Sequence, residues 1–283
     1  MLQPLKTHKT FKGLTQFWEH ESSSTKTKMK FSTFTPAAAS GSAAKPGGCV
    51  IWLSGLTCTD ENFITKAGAQ KYLAEKNLMV ICPDTSPRAL QLPHEHESYD
   101  FGSGASFYVD ATTPGYRDHY RMETYVASEL HTLIQSQFAI AADKISIMGH
   151  SMGGHGALTL GLLHPLKFKS VSAFSPIVNP VAAAWGEKAF RGYFGDDRSE
   201  WAKHDATELV KSGKRHPREI LIDQGLGDEF YAKQLLTGNF VEAAGAAGQP
   251  VKANLREGYD HSYYFISTFI ETHIAFHADA FKH

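Results

Sequence analysis

A serine, an aspartate and a histidine, far apart in the chain, are the residues best suited to do chemistry. Ser151 lies in Gly149-His150-Ser151-Met152-Gly153, a G-x-S-x-G pattern. It sits between the β-like run Lys144-Ile145-Ser146-Ile147-Met148 and a helix-like run beginning at His155. A serine hydroxyl is a weak nucleophile at neutral pH, so it needs exposure and a base. A sharp strand-to-helix turn exposes the side chain and aims the following backbone N–H at the carbonyl under attack. Glycines on both sides let the chain turn without a Cβ clash. A Gly/Ser-rich turn with no chemistry would have the same spelling, so the other two residues decide.

Asp228 falls in Gln224-Gly225-Leu226-Gly227-Asp228-Glu229-Phe230, just past a strand ending near Asp223. His261 falls in Gly258-Tyr259-Asp260-His261-Ser262, just past the last predicted strand. In an open parallel sheet, functional loops gather at the carboxyl ends of the strands. His261 is then the base for Ser151, and Asp228 fixes the imidazole tautomer and stabilises the imidazolium. Asp223 is the rival acid because it ends its strand directly, and Asp260 is better suited to support the loop backbone. The developing oxyanion needs two amides, each worth roughly 10²–10³ in rate. The Met152 N–H is one, and the Leu56 N–H in Ser54-Gly55-Leu56-Thr57-Cys58-Thr59 is the other. Cys58, two residues further on, is expected to border the pocket; no separate base for it is evident, so it is not assigned as nucleophile.

The elements that must hold these residues alternate between strand and helix. Leu14-Thr15-Gln16-Phe17-Trp18-Glu19-His20 and Met29-Lys30-Phe31-Ser32-Thr33-Phe34 have period-two patterning and read as antiparallel edge strands. The stretch 36–48 reads as a surface loop. Continuous apolar runs at 49–54 and 78–82 read as strands buried on both faces, and 170–174, 219–223 and 251–255 complete the set. Helices are expected at 67–76, 121–138, 240–247 and from 261 to 274. The fold class is therefore α/β: a mostly parallel central sheet with an antiparallel N-terminal edge and helices on both faces. One domain over 1–283 is expected, with pocket-forming insertions near 83–117 and 176–214.

Composition limits the partners. The chain has 283 residues, 42% hydrophobic and 20% charged, with a net charge of -1, which gives no electrostatic reason to expect nucleic acid or an anionic membrane. No apolar run reaches the roughly 20 residues of a membrane helix, and the start lacks the apolar core of a secretion signal. Three cysteines without a C-x-x-C pair point to a reducing, cytoplasmic setting. His94-Glu95-His96 lies in a polar loop, where solvation explains it better than a metal site. No metal or organic cofactor is implied.

The chain resembles the S-formylglutathione hydrolase (esterase D) family of the α/β-hydrolase superfamily, nearly end to end. The resemblance rests on Leu53-Ser54-Gly55-Leu56-Thr57-Cys58-Thr59-Asp60-Glu61-Asn62-Phe63, Pro83-Asp84-Thr85-Ser86-Pro87-Arg88 and Phe101-Gly102-Ser103-Gly104-Ala105-Ser106-Phe107-Tyr108-Val109-Asp110-Ala111-Thr112. It continues in Gly149-His150-Ser151-Met152-Gly153-Gly154-His155-Gly156-Ala157-Leu158, Trp185-Gly186-Glu187-Lys188-Ala189-Phe190 and Gly258-Tyr259-Asp260-His261-Ser262-Tyr263-Tyr264-Phe265-Ile266. The resemblance implies a cytosolic serine thioesterase acting on S-formylglutathione in formaldehyde detoxification, a triad at Ser151, Asp228 and His261, and often a homodimer. The chain departs from the family pattern at Ala89 (commonly glycine), Tyr99 (commonly tryptophan), Pro114-Gly115-Tyr116 (often Pro-Trp) and Val178 (commonly cysteine). Trp185, with Phe101 and Phe107, is expected to narrow the acyl side of the pocket. Lys66, Arg88 and Lys188 are the candidate cations for the glutathione carboxylates. The alternatives are a general short-chain carboxylesterase or an acyltransferase on the same fold, and a scaffold that binds without turnover.

Overall fold

The computed structural model describes residues 2–37 and 45–282. Positions 38–44 of the loop expected at 36–48 lie outside the described residues. Nine strands form one sheet among the described residues: β1 Lys6–Thr10, β2 Gly13–Glu21, β3 Lys28–Pro36, β4 Cys49–Leu53, β5 Met79–Pro83, β6 Ile145–His150, β7 Val171–Phe174, β8 Ile220–Gly225 and β9 Val251–Arg256. Their order is β1-β2-β3-β5-β4-β6-β7-β8-β9. β1 to β3 pair antiparallel and β3 meets β5 antiparallel, while every pairing from β5 to β9 is parallel. This is the expected α/β architecture.

The buried strands show why a continuous apolar run belongs at the centre. In β4, Cys49, Ile51 and Leu53 enter one hydrophobic layer, and Val50 and Trp52 enter the other. Successive side chains point to opposite faces, so a strand covered on both sides has no polar position. Trp52 stacks on Phe63 with ring centroids 4.0 Å apart, which docks the helix Glu61–Lys66 on that face. The C-terminal helix Tyr263–Ala280 packs Phe265, Ile266, Ile270 and Ile274 into the same layer. The helix Met152–Leu163 covers the opposite layer with Leu158, Leu160 and Leu162.

Several elements differ from the sequence expectation, the terminal helix among them, which runs Tyr263–Ala280 rather than 261–274. β1 was not expected, because Lys6-Thr7-His8-Lys9-Thr10 has no apolar face. It is a strand only because it pairs with β2 from Lys6↔Phe17 to Thr10↔Gly13, and its lysines suit an exposed edge. Of the helix expected at 67–76 only Gln70–Glu75 is helical, and a helix not expected, Glu61–Lys66, precedes it across Gly68 at φ +65°. The helix after the G-x-S-x-G turn begins at Met152 rather than His155. Glycines at 153 and 154 have poor helix propensity, but packing overrides it.

Candidate active site

Ser151 occupies the turn between β6 and the helix Met152–Leu163 with φ 58° and ψ -118°, a strained region for a residue with a Cβ. The strain is held by backbone bonds. Ser151 N–H donates to Phe174 O at 3.0 Å, and Ser151 O accepts from His155 N–H at 2.9 Å and from Ile177 N–H at 3.2 Å. The flanking glycines are required by close approach: a Cβ on Gly149 would lie 2.1 Å from Gly153 O, and one on Gly153 would lie 2.0 Å from Leu53 O. The turn is therefore wedged against the end of β4, next to the loop that carries Leu56.

Asp228 follows β8 and His261 follows β9, and the two meet. His261 Nδ1 lies 2.6 Å from Asp228 Oδ2. The other carboxylate oxygen accepts the Phe230 N–H at 2.9 Å, so both oxygens are engaged in a fully buried side chain. A carboxylate accepts and does not donate, so Nδ1 carries the proton and Nε2 keeps its lone pair. Phe230 also packs edge-on against His261 at 5.1 Å, which restricts ring rotation. Asp223 does not reach His261. It accepts from the Asn254 amide and from Arg256 at 3.0 Å. Asp260 accepts the Ser262 N–H at 3.0 Å at the start of the C-terminal helix, the backbone support expected of it.

Ser151 and His261 line one cavity of about 310 Å³, together with Gly55, Leu56, Thr57, Cys58, Asn62, Lys66, Tyr99, His150, Trp185, Phe230 and Tyr263. Ser151 and His261 share this cavity, and no hydrogen bond joins the Ser151 hydroxyl to the His261 ring. Catalytic hydrogen bonds of this kind commonly tighten in the substrate complex. Leu56 N–H has no acceptor among the described residues, and Met152 begins its helix, where the amide has no partner in the preceding turn. The Leu56 loop is fixed on both sides: Thr57 N–H donates to Gly104 O at 2.8 Å, and Tyr108 Oη donates to Ser54 O at 2.9 Å. Cys58 lines the cavity as expected, and burial pushes its thiol up, partly offset by Lys66 and a backbone bond at Gly55.

The expected pocket walls are partly corrected. Trp185 lines the cavity, and its indole N–H donates to Tyr99 Oη at 3.1 Å. Phe101 and Phe107 do not. Phe101 stacks on Tyr193 at 4.8 Å and Phe107 packs against Phe190 at 5.9 Å, so both are core residues behind the wall. Arg88 is also not a free cation: it binds both oxygens of Asp84 and the carbonyls of Ser103 and Cys58. Lys188 is paired with Asp100.

Sequence reasoning missed His150, Phe230 and Tyr263 as cavity residues. His150 is buried with Nε2 unpartnered, and its ring lies 4.4 Å from that of His261. Burial first, then the neighbouring His261, pushes the His150 imidazole down. All three stand within motifs already singled out, two residues or fewer from an assigned one. Proximity in sequence to Ser151, Asp228 and His261 was the available signal.

Comparison with known proteins gives the family. The family model described as "Putative esterase" matches residues 22–276. The S-formylglutathione hydrolase of Rattus norvegicus is 51% identical over 278 residues, covering 98% of each chain. The chain belongs to the S-formylglutathione hydrolase family of esterases. The Arabidopsis thaliana S-formylglutathione hydrolase is 48% identical over 97% of this chain and 96% of its own. A solved S-formylglutathione hydrolase structure from Agrobacterium tumefaciens superposes with a TM-score of 0.94 at 42% identity, covering 99% of this chain and 100% of that one. Of the departures from the S-formylglutathione hydrolase pattern, only Tyr99 lines the cavity. Tyr116 is buried against Phe101 and Tyr120, Val178 is buried, and Ala89 sits at φ +61°, the conformation that explains the glycine common there.

Proposed function

We propose that this chain is a serine thioesterase that hydrolyses S-formylglutathione to glutathione and formate. The observation that carries the reading is His261, bound to the buried Asp228 carboxylate and sharing a cavity with the strained Ser151 in a chain of this family. Ser151 Oγ attacks the formyl carbon while His261 Nε2 takes the hydroxyl proton. The oxyanion is held by the Leu56 and Met152 amides. The C–S bond then breaks, and His261 returns the proton to the departing sulfur. Water attacks the formyl-Ser151 ester, again giving its proton to His261, and formate leaves as Ser151 is reprotonated.

The thioester suits this apparatus. A thiol leaving group has a pKa of about 8.5, taking cysteine as guide, so its departure needs little acid assistance. Forming the oxyanion is then the demanding step, and preorganised amides address it. Trp185 and Tyr99, tied together across the cavity, support a preference for small acyl groups. Three free cysteines support a cytoplasmic setting, and no helix among the described residues is long and apolar enough to cross a membrane. A homodimer is the assembly we propose by family analogy, to be measured by light scattering.

The test is steady-state kinetics on S-formylglutathione beside S-acetylglutathione and p-nitrophenyl acetate, with and without alcohol acceptors. The highest kcat/KM is expected for S-formylglutathione, with water as acceptor. Preference for the neutral ester, or transfer to the alcohol, would favour the general carboxylesterase or acyltransferase instead.

A further inference from the structure

Among the residues lining the active-site cavity, only one bears a permanent charge, and it is positive. Lys66 lies at the exposed end of the helix Glu61–Lys66 and no aspartate or glutamate lines the cavity with it. It forms no ion pair among the described residues, and its Nζ stands 5.7 Å over the Tyr263 ring. The other basic side chains near this region are committed: Arg88 to Asp84 and two carbonyls, and Lys188 to Asp100. Glutathione, with two carboxylates and one ammonium, is a net anion. Its peptide must extend outward from a sulfur placed at Ser151, past the rim.

We infer that Lys66 is the specificity residue that receives a glutathione carboxylate at the cavity mouth, an inference that rests on the thioesterase reading above. Tyr263 limits where the ammonium can swing, since the ring face attracts it. The unpaired Nζ therefore meets the carboxylate without first breaking an internal bond. A lysine in the last turn of a helix can also serve only the backbone carbonyls there. That role makes a different prediction for ligand binding.

The experiment measures inhibition of p-nitrophenyl acetate hydrolysis by S-methylglutathione, a thioether that cannot be cleaved. Wild type, Lys66→Ala, Lys66→Arg and Lys66→Glu are compared at low salt. An exposed ion pair shifts affinity by up to about fivefold, so Ki should rise about that much in Lys66→Ala. It should rise further, about tenfold or more, in Lys66→Glu by charge repulsion. Lys66→Arg should restore most of the affinity. Added salt should weaken wild-type inhibition toward the Lys66→Ala value by screening. An unchanged Ki in Lys66→Ala and Lys66→Glu, with wild type inhibited, would overturn the Lys66 assignment alone. A wild type that cleaves the ester but is neither inhibited by S-methylglutathione nor active on S-formylglutathione would overturn the functional reading, and the Lys66 assignment with it.

Discussion

Arg88 Nη2 donates to the carbonyl of Cys58 at 3.1 Å, and this bond couples the loop bearing Leu56 to the segment after β5. The same guanidinium holds Ser103 O at 2.7 Å and the Asp84 carboxylate at 2.6 Å. Arg88 thus fixes three chain segments from behind the cavity, without lining it. Replacing it by lysine keeps the charge but loses the planar fork that reaches several acceptors at once. Arg88→Lys should lower kcat at least about tenfold, a fraction of the 10²–10³ cost of losing one oxyanion donor. KM should change much less. An equal rise in KM with kcat preserved would place Arg88 in binding, and circular dichroism establishes that the variant is folded.

The two aspartates near β8 should fail in different ways. Asp228→Asn removes the acceptor that fixes the His261 tautomer, and kcat should fall by about 10³–10⁴ with the melting temperature little changed. Asp223→Asn takes the carboxylate from Arg256, whose guanidinium stays partly exposed and over the Phe269 ring, at a cost of about 1–3 kcal/mol in stability. Parallel assays of activity and urea unfolding separate the two outcomes.

Ala89 is held at φ +61°, where a Cβ costs roughly 1–2 kcal/mol. Ala89→Gly relieves that cost but gives the unfolded chain more freedom, about 0.4–1 kcal/mol. The net gain should be about 0.5–1 kcal/mol, with Tm up by about 2 °C. A lower Tm would contradict the strain argument.

Acid should destabilise the fold through buried histidines. Burial first, and then His204, pushes the His155 imidazole down to about 3, and neither ring nitrogen has a partner. In the unfolded chain the same group titrates near 6.5. Between those values the unfolded state binds the extra proton, so the stability present above about 6.5 is lost as pH falls toward about 3, at up to about 1.4 kcal/mol per pH unit. His277, likewise pushed down to about 3 by burial, adds to the same slope. His155→Leu leaves no hydrogen-bond partner orphaned. The stability difference between pH 7 and 5, measured by urea unfolding, should shrink by about 2 kcal/mol. An unchanged difference would mean that His155 titrates normally in the native state.

Much of this site was legible in the residues because its constraints are local. Gly149 and Gly153 stand where a Cβ would strike Gly153 O and Leu53 O, so the turn is written into its glycines. Ser151, Asp228 and His261 each follow a strand, and the topology of a parallel sheet carries strand ends to one rim. The choice of Asp228 over Asp223 was also readable, because only the former stands on a loop beyond its strand. What could not be read depends on distant partners. Whether Arg88, Lys188 or Lys66 is free depends on Asp84 and Asp100 reaching two of them, which no spacing encodes. Phe101 and Phe107 have the composition of a pocket wall, but their rings turn inward to Tyr193 and Phe190. β1 has no apolar pattern and exists through its pairing with β2.

The most direct test of the account is intact-protein mass spectrometry, with peptide mapping, after exposure to a fluorophosphonate. Wild type and Cys58→Ser should each gain a single adduct on Ser151, while Ser151→Ala should gain none. Asp228→Asn should label far more slowly. An adduct at another residue, or folded wild type that takes up no label, would contradict Ser151 as the nucleophile served by Asp228 and His261.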